Sequence, residues 1–157
     1  MERNDQVREV LSDLIRINND RIEGYEKAIQ DSKDKDTDLQ AMFSRMADES
    51  KQYAAELERE VSRSGEEAPS GTTVSGKIYR VWMDIRSAFS GKSRQSVLDL
   101  CEYGEDAAQK AYEEALKEDA QLPSDVRQLI VSQKSALKTS HDTIKRYRDM
   151  QEGRRSE

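Results

Sequence analysis

The sequence predicts an all-α protein, a four-helix bundle of two helical hairpins joined by a long helical crossover. Three observations favour this fold. Glycine and proline are scarce, with 7 and 2 in 157 residues, which is typical of long elements and few turns. Apolar residues recur at helical spacing over four long stretches, as in helices with one buried stripe. The two halves of the chain also match each other, which indicates two similar hairpins.

The composition suits a helical bundle. Hydrophobic residues make up 34% of the chain and charged residues 37%, which is polar for a globular protein. A long amphipathic helix needs only a narrow apolar stripe, so a bundle tolerates this balance. A chain of 157 residues is long enough to bury one core. We therefore predict a single domain over residues 1–157.

Two striped segments predict the first hairpin. The first helix is expected over residues 5–31, and the short charged run after it predicts a turn. The second helix is expected to begin at Thr37, because Thr37 and Gln40 fit a capping box, and to end at Gly65. The residues predicted to face inward on these two helices are Val7, Leu11, Leu14, Ile22, Tyr25, Ile29, Leu39, Phe43, Met46, Ser50, Tyr53 and Leu57.

A crossover is predicted over residues 65–92. Its first part contains Pro69, Ser70 and Gly71, which indicates a linker, and a shorter helix is expected to follow. This is the most cationic and aromatic stretch of the chain, so it is our candidate interface for a partner or an anionic surface. The alternative is a lid packed on the bundle with solvated basic side chains. The candidate interface residues are Trp82, Phe89, Arg80 and Arg86.

The second hairpin is predicted from the last two stripes. Its first helix is expected over residues 93–117, and Leu122 and Pro123 predict the turn. Ser124 is the expected cap of the last helix, which should end near Met150 and leave a frayed tail. The residues predicted to face inward are Val97, Leu98, Cys101, Ala108, Tyr112, Ala115, Val126, Ile130, Gln133, Leu137, Ile144 and Tyr147.

The internal match follows one offset. A shift of 87 residues places Leu11 on Leu98 and Tyr25 on Tyr112, and the predicted caps of the two hairpins also coincide. The same offset fits both helix pairs without a gap. This regularity favours a structural repeat over chance agreement between amphipathic helices.

Charge and cysteine content exclude several classes of function. The net charge of −6 argues against a nucleic-acid partner, because such binding begins with neutralising phosphates. No apolar run approaches the roughly 18 residues of a membrane span. Cys101 is the only cysteine, so no internal disulfide forms, and it is predicted to be a buried, inert thiol. The charged N-terminus lacks the apolar stretch of a signal peptide. We therefore expect a cytoplasmic protein, as a homo-oligomer or with a protein partner.

The chain resembles the small bacterial ferritin-like four-helix-bundle proteins classed as a domain of unknown function. This resemblance covers nearly the whole chain and implies a ferritin-like fold with one crossover. It implies little chemistry, and it implies an association with stress or stationary phase. The stretches that carry it are residues 18–25, 76–84, 104–112, 122–123 and 141–142.

Ferritin-like enzymes hold two irons between a Glu from each of two helices and a Glu-x-x-His pair from each of the other two. The resemblance places the first-helix Glu seven residues before a Tyr. Glu105 stands there in the second half, but Asn18 takes that place in the first. The two Glu-x-x-His positions are occupied by residues 50–53 and 137–140, which contain neither Glu nor His. We therefore expect no metal cofactor.

An unorthodox metal site is the alternative. Glu49, Glu105 and His141 would form a slipped or mononuclear site for iron or manganese. The competing interpretation of His141, the only histidine, is a residue beside the core that hydrogen-bonds a neighbour.

Several polar side chains fall on the inward stripes. They are either the remnant of a site or a hydrogen-bond network that fixes helix register, and we favour the network. A carboxylate at Glu105 would need protonation or a partner such as Tyr or Lys. The sequence therefore predicts a non-enzymatic structural or interaction protein; the alternative is a metal-binding oxidoreductase or storage protein. The residues of the predicted network are Asn18, Tyr25, Ser50, Tyr53, Glu105 and Tyr112.

Overall fold

A computed structural model describes residues 2–31, 37–63, 94–117 and 122–156. Its four helices are α1 (Glu2–Asp31), α2 (Thr37–Ser62), α3 (Arg94–Lys117) and α4 (Ser124–Ser156). The part of the chain that the structure describes contains no strand, so the prediction of an all-α four-helix bundle is confirmed. The predicted crossover and the four candidate interface residues in it lie outside the described residues. No described helix is long and apolar enough to cross a membrane.

The helices pack as two hairpins. The most extensive contacts join α1 to α2 and α3 to α4, and smaller contacts join α1 to α3 and α2 to α4. The helices therefore form a square arrangement in which α1 lies diagonally opposite α4. Within this square, every helix presents its stripe to the centre.

Two predicted boundaries differ from the structure. The first helix was expected to begin at residue 5, but α1 begins at Glu2. We expected the last helix to end near Met150, but α4 continues to Ser156. The added residues include Gln151, Glu152, Arg154 and Arg155, which favour helix. Gly153 alone costs only about 1 kcal/mol in a helix interior, so it does not stop the helix.

The core consists of two apolar clusters with polar side chains between them. On α1 the first cluster contains the four apolar residues between positions 11 and 17, and the second begins at Tyr25. The level between them is occupied by four fully buried polar residues, which we call the polar layer. These are Asn18 and Arg21 on α1, Ser50 on α2 and Glu105 on α3. Cys101 is buried in the second cluster, as predicted.

Candidate functional site

Arg21 is the centre of the polar layer. Its side chain is fully buried, and its Nε lies 2.6 Å from Oε1 of Glu105 on α3. Arg21 follows Asn18 by three residues and precedes Tyr25 by four, so the helical repeat places all three on one face of α1. The backbone of α1 thereby directs a cation into the bundle.

The guanidinium also contacts α2. Its Nη1 donates to the Met46 carbonyl at 3.0 Å and to Ser50 Oγ at 2.7 Å. Its Nη2 lies 3.8 Å from Oε1 of Glu49, a carboxylate at the edge of the layer. Arginine presents five donors in a rigid fork, and here the fork connects α1 to α2 and α3.

Glu105 is compensated by two partners. Its Oε1 accepts hydrogen bonds from Arg21 and from the Tyr25 hydroxyl, which lies 2.6 Å away. Its Oε2 has no hydrogen-bond partner among the described residues. A buried carboxylate needs a cation and donors of this kind. Tyr25 was among the partner types that we expected, and Arg21 was not.

Burial and neighbouring charges shift the pKa values of three groups. Burial is the largest single influence on Arg21 and opposes its charge, but Glu105, Tyr25 and Glu49 together outweigh burial and raise the pKa of the guanidinium. Burial, and then the charge of Glu105, raises the pKa of the Tyr25 hydroxyl. The same two causes raise the pKa of the Cys101 thiol. The polar layer therefore contains a permanent cation, and the nearby Tyr25 hydroxyl and Cys101 thiol stay protonated and neutral.

Aromatic rings close one side of the ion pair. The Arg21 Cζ lies 5.3 Å from the centroid of the Tyr25 ring, within cation–π range. The Tyr25 ring in turn stacks on Phe43, with centroids 5.4 Å apart. These contacts hold the Tyr25 hydroxyl towards Glu105.

Asn18 connects the layer to a second chain of hydrogen bonds. Its Nδ2 donates to the Leu14 carbonyl at 2.8 Å and to the Tyr112 hydroxyl at 2.9 Å. Its Oδ1 accepts from Ser50 Oγ at 2.9 Å. The amide is thus satisfied on both sides, as a buried polar group requires.

The second chain continues onto α4. The Tyr112 hydroxyl donates to Oε1 of Gln133 at 2.7 Å. The Gln133 Nε2 donates to Oε1 of Glu56 at 2.9 Å and to the Tyr53 carbonyl at 3.2 Å. Burial, and then the Glu49 carboxylate, raises the pKa of the Tyr53 hydroxyl to about 12. All four helices therefore take part in the network.

The contacts follow the internal repeat. Under the shift of 87 residues, Asn18 corresponds to Glu105 and Tyr25 to Tyr112. Each tyrosine contacts the layer residue of the other half, because Tyr25 bonds Glu105 and Tyr112 bonds Asn18. Arg21 has no counterpart, since Ala108 occupies its equivalent position. The positive charge of Arg21 therefore occurs in only one half of the internal repeat.

The predicted network residues meet in the structure, with one difference. Asn18, Tyr25, Ser50, Glu105 and Tyr112 form the hydrogen bonds described above. Tyr53 contributes its main-chain carbonyl to these bonds.

The alternative metal set does not converge. Glu49 accepts a hydrogen bond from Ser140 Oγ at 2.9 Å, and Glu105 is bonded to Arg21. His141 lies instead against Asp106, with Nε2 and Oδ1 2.6 Å apart. The ligand atoms of Glu49, Glu105 and His141 do not group within reach of one ion, and the one such group among the described residues is Glu102, Asp106 and His141.

The bundle centre also does not fit a di-iron ligand set. Such a site needs several carboxylates and two imidazoles facing inward. At this level the side chains are instead an amide, a guanidinium, hydroxyls and one fully buried carboxylate. Arg21 points its donors at the carboxylates that would face a metal ion.

Arg21 was not predicted from the sequence. The signal was present, because Arg21 has the helical spacing of Leu14, Asn18 and Tyr25. Searching for apolar periodicity favoured its neighbour Ile22, which is only half-buried. A search for polar residues that continue an inward stripe would have found it.

These observations define the class of protein: an all-α four-helix bundle whose centre is a satisfied polar network around a buried Arg–Glu pair. Within this class, the chain belongs to the family described as Domain of unknown function (DUF2383), whose model matches residues 6–118. The matched segment includes α3 and every residue of the polar layer, and it ends before α4. No curated protein matches the chain.

Proposed function

We propose that this is a non-enzymatic, ferritin-like structural or interaction protein, whose bundle centre serves stability and helix alignment rather than iron chemistry. The observation that carries the proposal is the fully buried Arg21, 2.6 Å from Glu105. The guanidinium stands at the level of the bundle where the ferritin-like resemblance would place metal.

The chemistry of arginine supports this. Carboxylates buried together require a compensating cation, and Arg21 supplies one from the chain itself. The guanidinium does not lose its proton in proteins. It also has no accessible redox state, unlike a transition metal ion. Because the compensating cation is part of the chain and keeps its charge, the polar layer is a permanent feature of the fold. This suits a structural role.

Aerobic iron oxidation tests the proposal. Fe(II) is added to the full chain, and formation of Fe(III) is followed by ultraviolet absorbance, with bound iron counted after desalting. We expect oxidation at the rate of buffer alone. His141→Ala serves as the matched variant, because it removes the one imidazole and leaves the polar layer unchanged. Accelerated oxidation with two irons per chain, in both proteins, would overturn the proposal.

The alternative is a metal-binding oxidoreductase or storage protein that uses iron or manganese. The observation that favours it is the buried Oε2 of Glu105, which has no hydrogen-bond partner among the described residues. A second carboxylate, that of Glu49, lies 3.8 Å from the Arg21 guanidinium that pairs with Glu105. A metal at this place would have to displace Arg21. Protein purified after iron and manganese supplementation distinguishes the two functions, because only the alternative predicts near-stoichiometric metal that depends on Glu105.

The interaction role rests on the crossover. We propose that the protein forms a homo-oligomer or binds a protein partner through the stretch that contains Trp82 and Phe89. Light scattering and a pull-down with Trp82→Ala test this, and unchanged mass and partners would contradict it. The resemblance also supports a bacterial, cytoplasmic protein associated with stress, which growth of a deletion strain under oxidative or stationary-phase conditions would test.

A further inference from the structure

A second group of ionisable side chains lies between α3 and α4, apart from the polar layer. Glu102 and Asp106 stand one turn apart on α3, and His141 faces them from α4. Their ligand atoms all lie within 4.8 Å of one another. We propose that these three residues form a binding site for a divalent transition metal ion.

The distances suit one ion. Zinc sits about 2.0–2.2 Å from imidazole nitrogen and carboxylate oxygen, so donors to the same ion lie within about 4 Å of one another. The observed separations need only a small movement of a side chain. Asp106 is half exposed, which leaves a path for the ion and room for water as the remaining ligands.

The His141 ring is oriented for this role. Its Nδ1 lies 3.3 Å from Oδ1 of Asp142, so a proton on Nδ1 leaves Nε2 as the nitrogen with a lone pair for a metal ion. Nε2 is itself buried and makes no hydrogen bond, and Oδ1 of Asp106 lies 2.6 Å from it. A carboxylate that fixes the outer nitrogen of a metal-binding histidine is a common arrangement in metal sites.

Glu102 is held from the outside. Arg148 on α4 pairs through Nη1 with Oε2 of Glu102, and Arg148 is itself held by Asp149 at 2.9 Å. Metal-bound carboxylates are usually hydrogen-bonded in this way by a second residue. Arg148 also offsets part of the negative charge of the two carboxylates. The cluster thus has three candidate ligands, two of which are held by a second residue. Asp142 holds His141, and Arg148 holds Glu102.

The donor set selects the type of ion. One imidazole nitrogen with two carboxylate oxygens suits zinc, manganese, iron or cobalt, whereas calcium and magnesium prefer oxygen ligands alone. Zn²⁺ and Co²⁺ are suitable probes, because Zn²⁺ is redox-inert and Co²⁺ reports its coordination in visible absorption. The site is independent of the proposed structural role of the bundle centre.

Metal titration of the tag-free, chelator-treated full chain tests the proposal. We expect one Zn²⁺ per chain by calorimetry and ligand-field bands with Co²⁺. His141→Ala should lower the affinity by at least about tenfold, and Asp142→Asn by about tenfold or more. Glu114→Gln, an exposed site elsewhere on α3, is the matched control and should bind like the unmodified protein. Equal affinity in His141→Ala, or no binding by the unmodified chain, would overturn the proposal.

A measurement on the unmodified protein covers the case in which a variant fails to fold. The chain has one histidine, so its imidazole gives one set of nitrogen-15 NMR signals. Zn²⁺ should shift these signals at one equivalent, and unchanged signals would overturn the proposal. This outcome is separate from the iron-oxidation result, because oxidation at the bundle centre would persist in His141→Ala.

Discussion

Arg21 carries a full charge into the middle of the bundle, where its donors contact α2 and α3. Taking an ion out of water costs several kcal/mol, and the partners of the ion must offset that cost. Glu105 supplies the opposite charge, Ser50 and the Met46 carbonyl accept hydrogen bonds from Nη1, and the Met46 sulfur accepts one from Nη2. Each partner therefore depends on the others, so losing one leaves an uncompensated group in the core.

At this scale we predict that breaking the pair is costly. Arg21→Met leaves the buried Glu105 without its cation and should lower the free energy of unfolding by about 3–5 kcal/mol. Arg21→Lys keeps the positive charge but not the planar donor geometry of the guanidinium, so it should lower the free energy of unfolding by less than Arg21→Met does. Urea unfolding followed by circular dichroism at neutral pH measures both.

Glu114→Gln is the control for this comparison, since Glu114 is exposed and surface changes usually stay within about 0.5 kcal/mol. A loss of less than about 1 kcal/mol in Arg21→Met would contradict the role assigned to the pair.

The four helices were predictable from sequence because each has a stripe of apolar residues at helical spacing. The end of α1 was placed correctly at Asp31. The extension of α4 was not, because Met150 is the last large apolar residue and the helix continues beyond it on propensity. An apolar stripe reflects which residues are buried, so it locates a helix more accurately than it locates the ends of that helix.

The candidate site was only partly predictable for a related reason. Asn18, Ser50 and Glu105 were placed inward by periodicity and by the internal repeat. Arg21 was overlooked because a charged side chain is almost never fully buried unless it is paired, and the pairing partner lies 84 residues away. The grouping of His141 with Glu102 and Asp106 depends on how α3 and α4 rotate against each other, which the stripes alone do not determine.

Between elements, one ion pair joins the start of α2 to the start of α3. Arg94 donates from Nη1 to Oδ1 of Asp38 at 3.0 Å. This hydrogen bond is the main cause that lowers the pKa of Asp38 below its usual value of 3.8. Asp38 is half exposed, so solvent screens the pair and its contribution should be about 0.5 kcal/mol or less.

We predict that this contribution depends on pH. The pKa of Asp38 is lower in the folded state, so the stabilisation is present above about pH 4 and disappears as pH falls through the lowered value. The difference in unfolding free energy between the unmodified protein and Asp38→Asn should therefore shrink between pH 7 and pH 3. Denaturant unfolding at both pH values measures it, with Glu114→Gln as the control. An equal difference at pH 3 would refute the assignment.

At the scale of the whole molecule, the polar layer lies where the two hairpins meet. Two apolar clusters would tolerate small slips of one hairpin along the other, because hydrophobic contact is not directional. Hydrogen bonds are directional, and the exchanged contacts of Tyr25 with Glu105 and of Tyr112 with Asn18 are made in only one alignment. The layer therefore distinguishes the native alignment from its neighbours.

This leads to a prediction about a double variant. Arg21→Met combined with Glu105→Leu removes both charges together and leaves side chains of similar size. Replacing a buried pair in this way is often neutral or stabilising, so the double variant should recover most of the stability lost in Arg21→Met. It should also lose uniqueness of structure, because the alignment then depends on apolar packing alone.

Two measurements separate these effects. Circular dichroism should show unchanged helix content, while the denaturant m-value falls and the dispersion of the amide NMR spectrum narrows relative to the unmodified protein. A dispersed spectrum and an unchanged m-value in the double variant would show that the apolar clusters alone align the hairpins. The buried pair would then not determine the alignment of the hairpins, and the role in helix alignment proposed for the bundle centre would lose its physical basis.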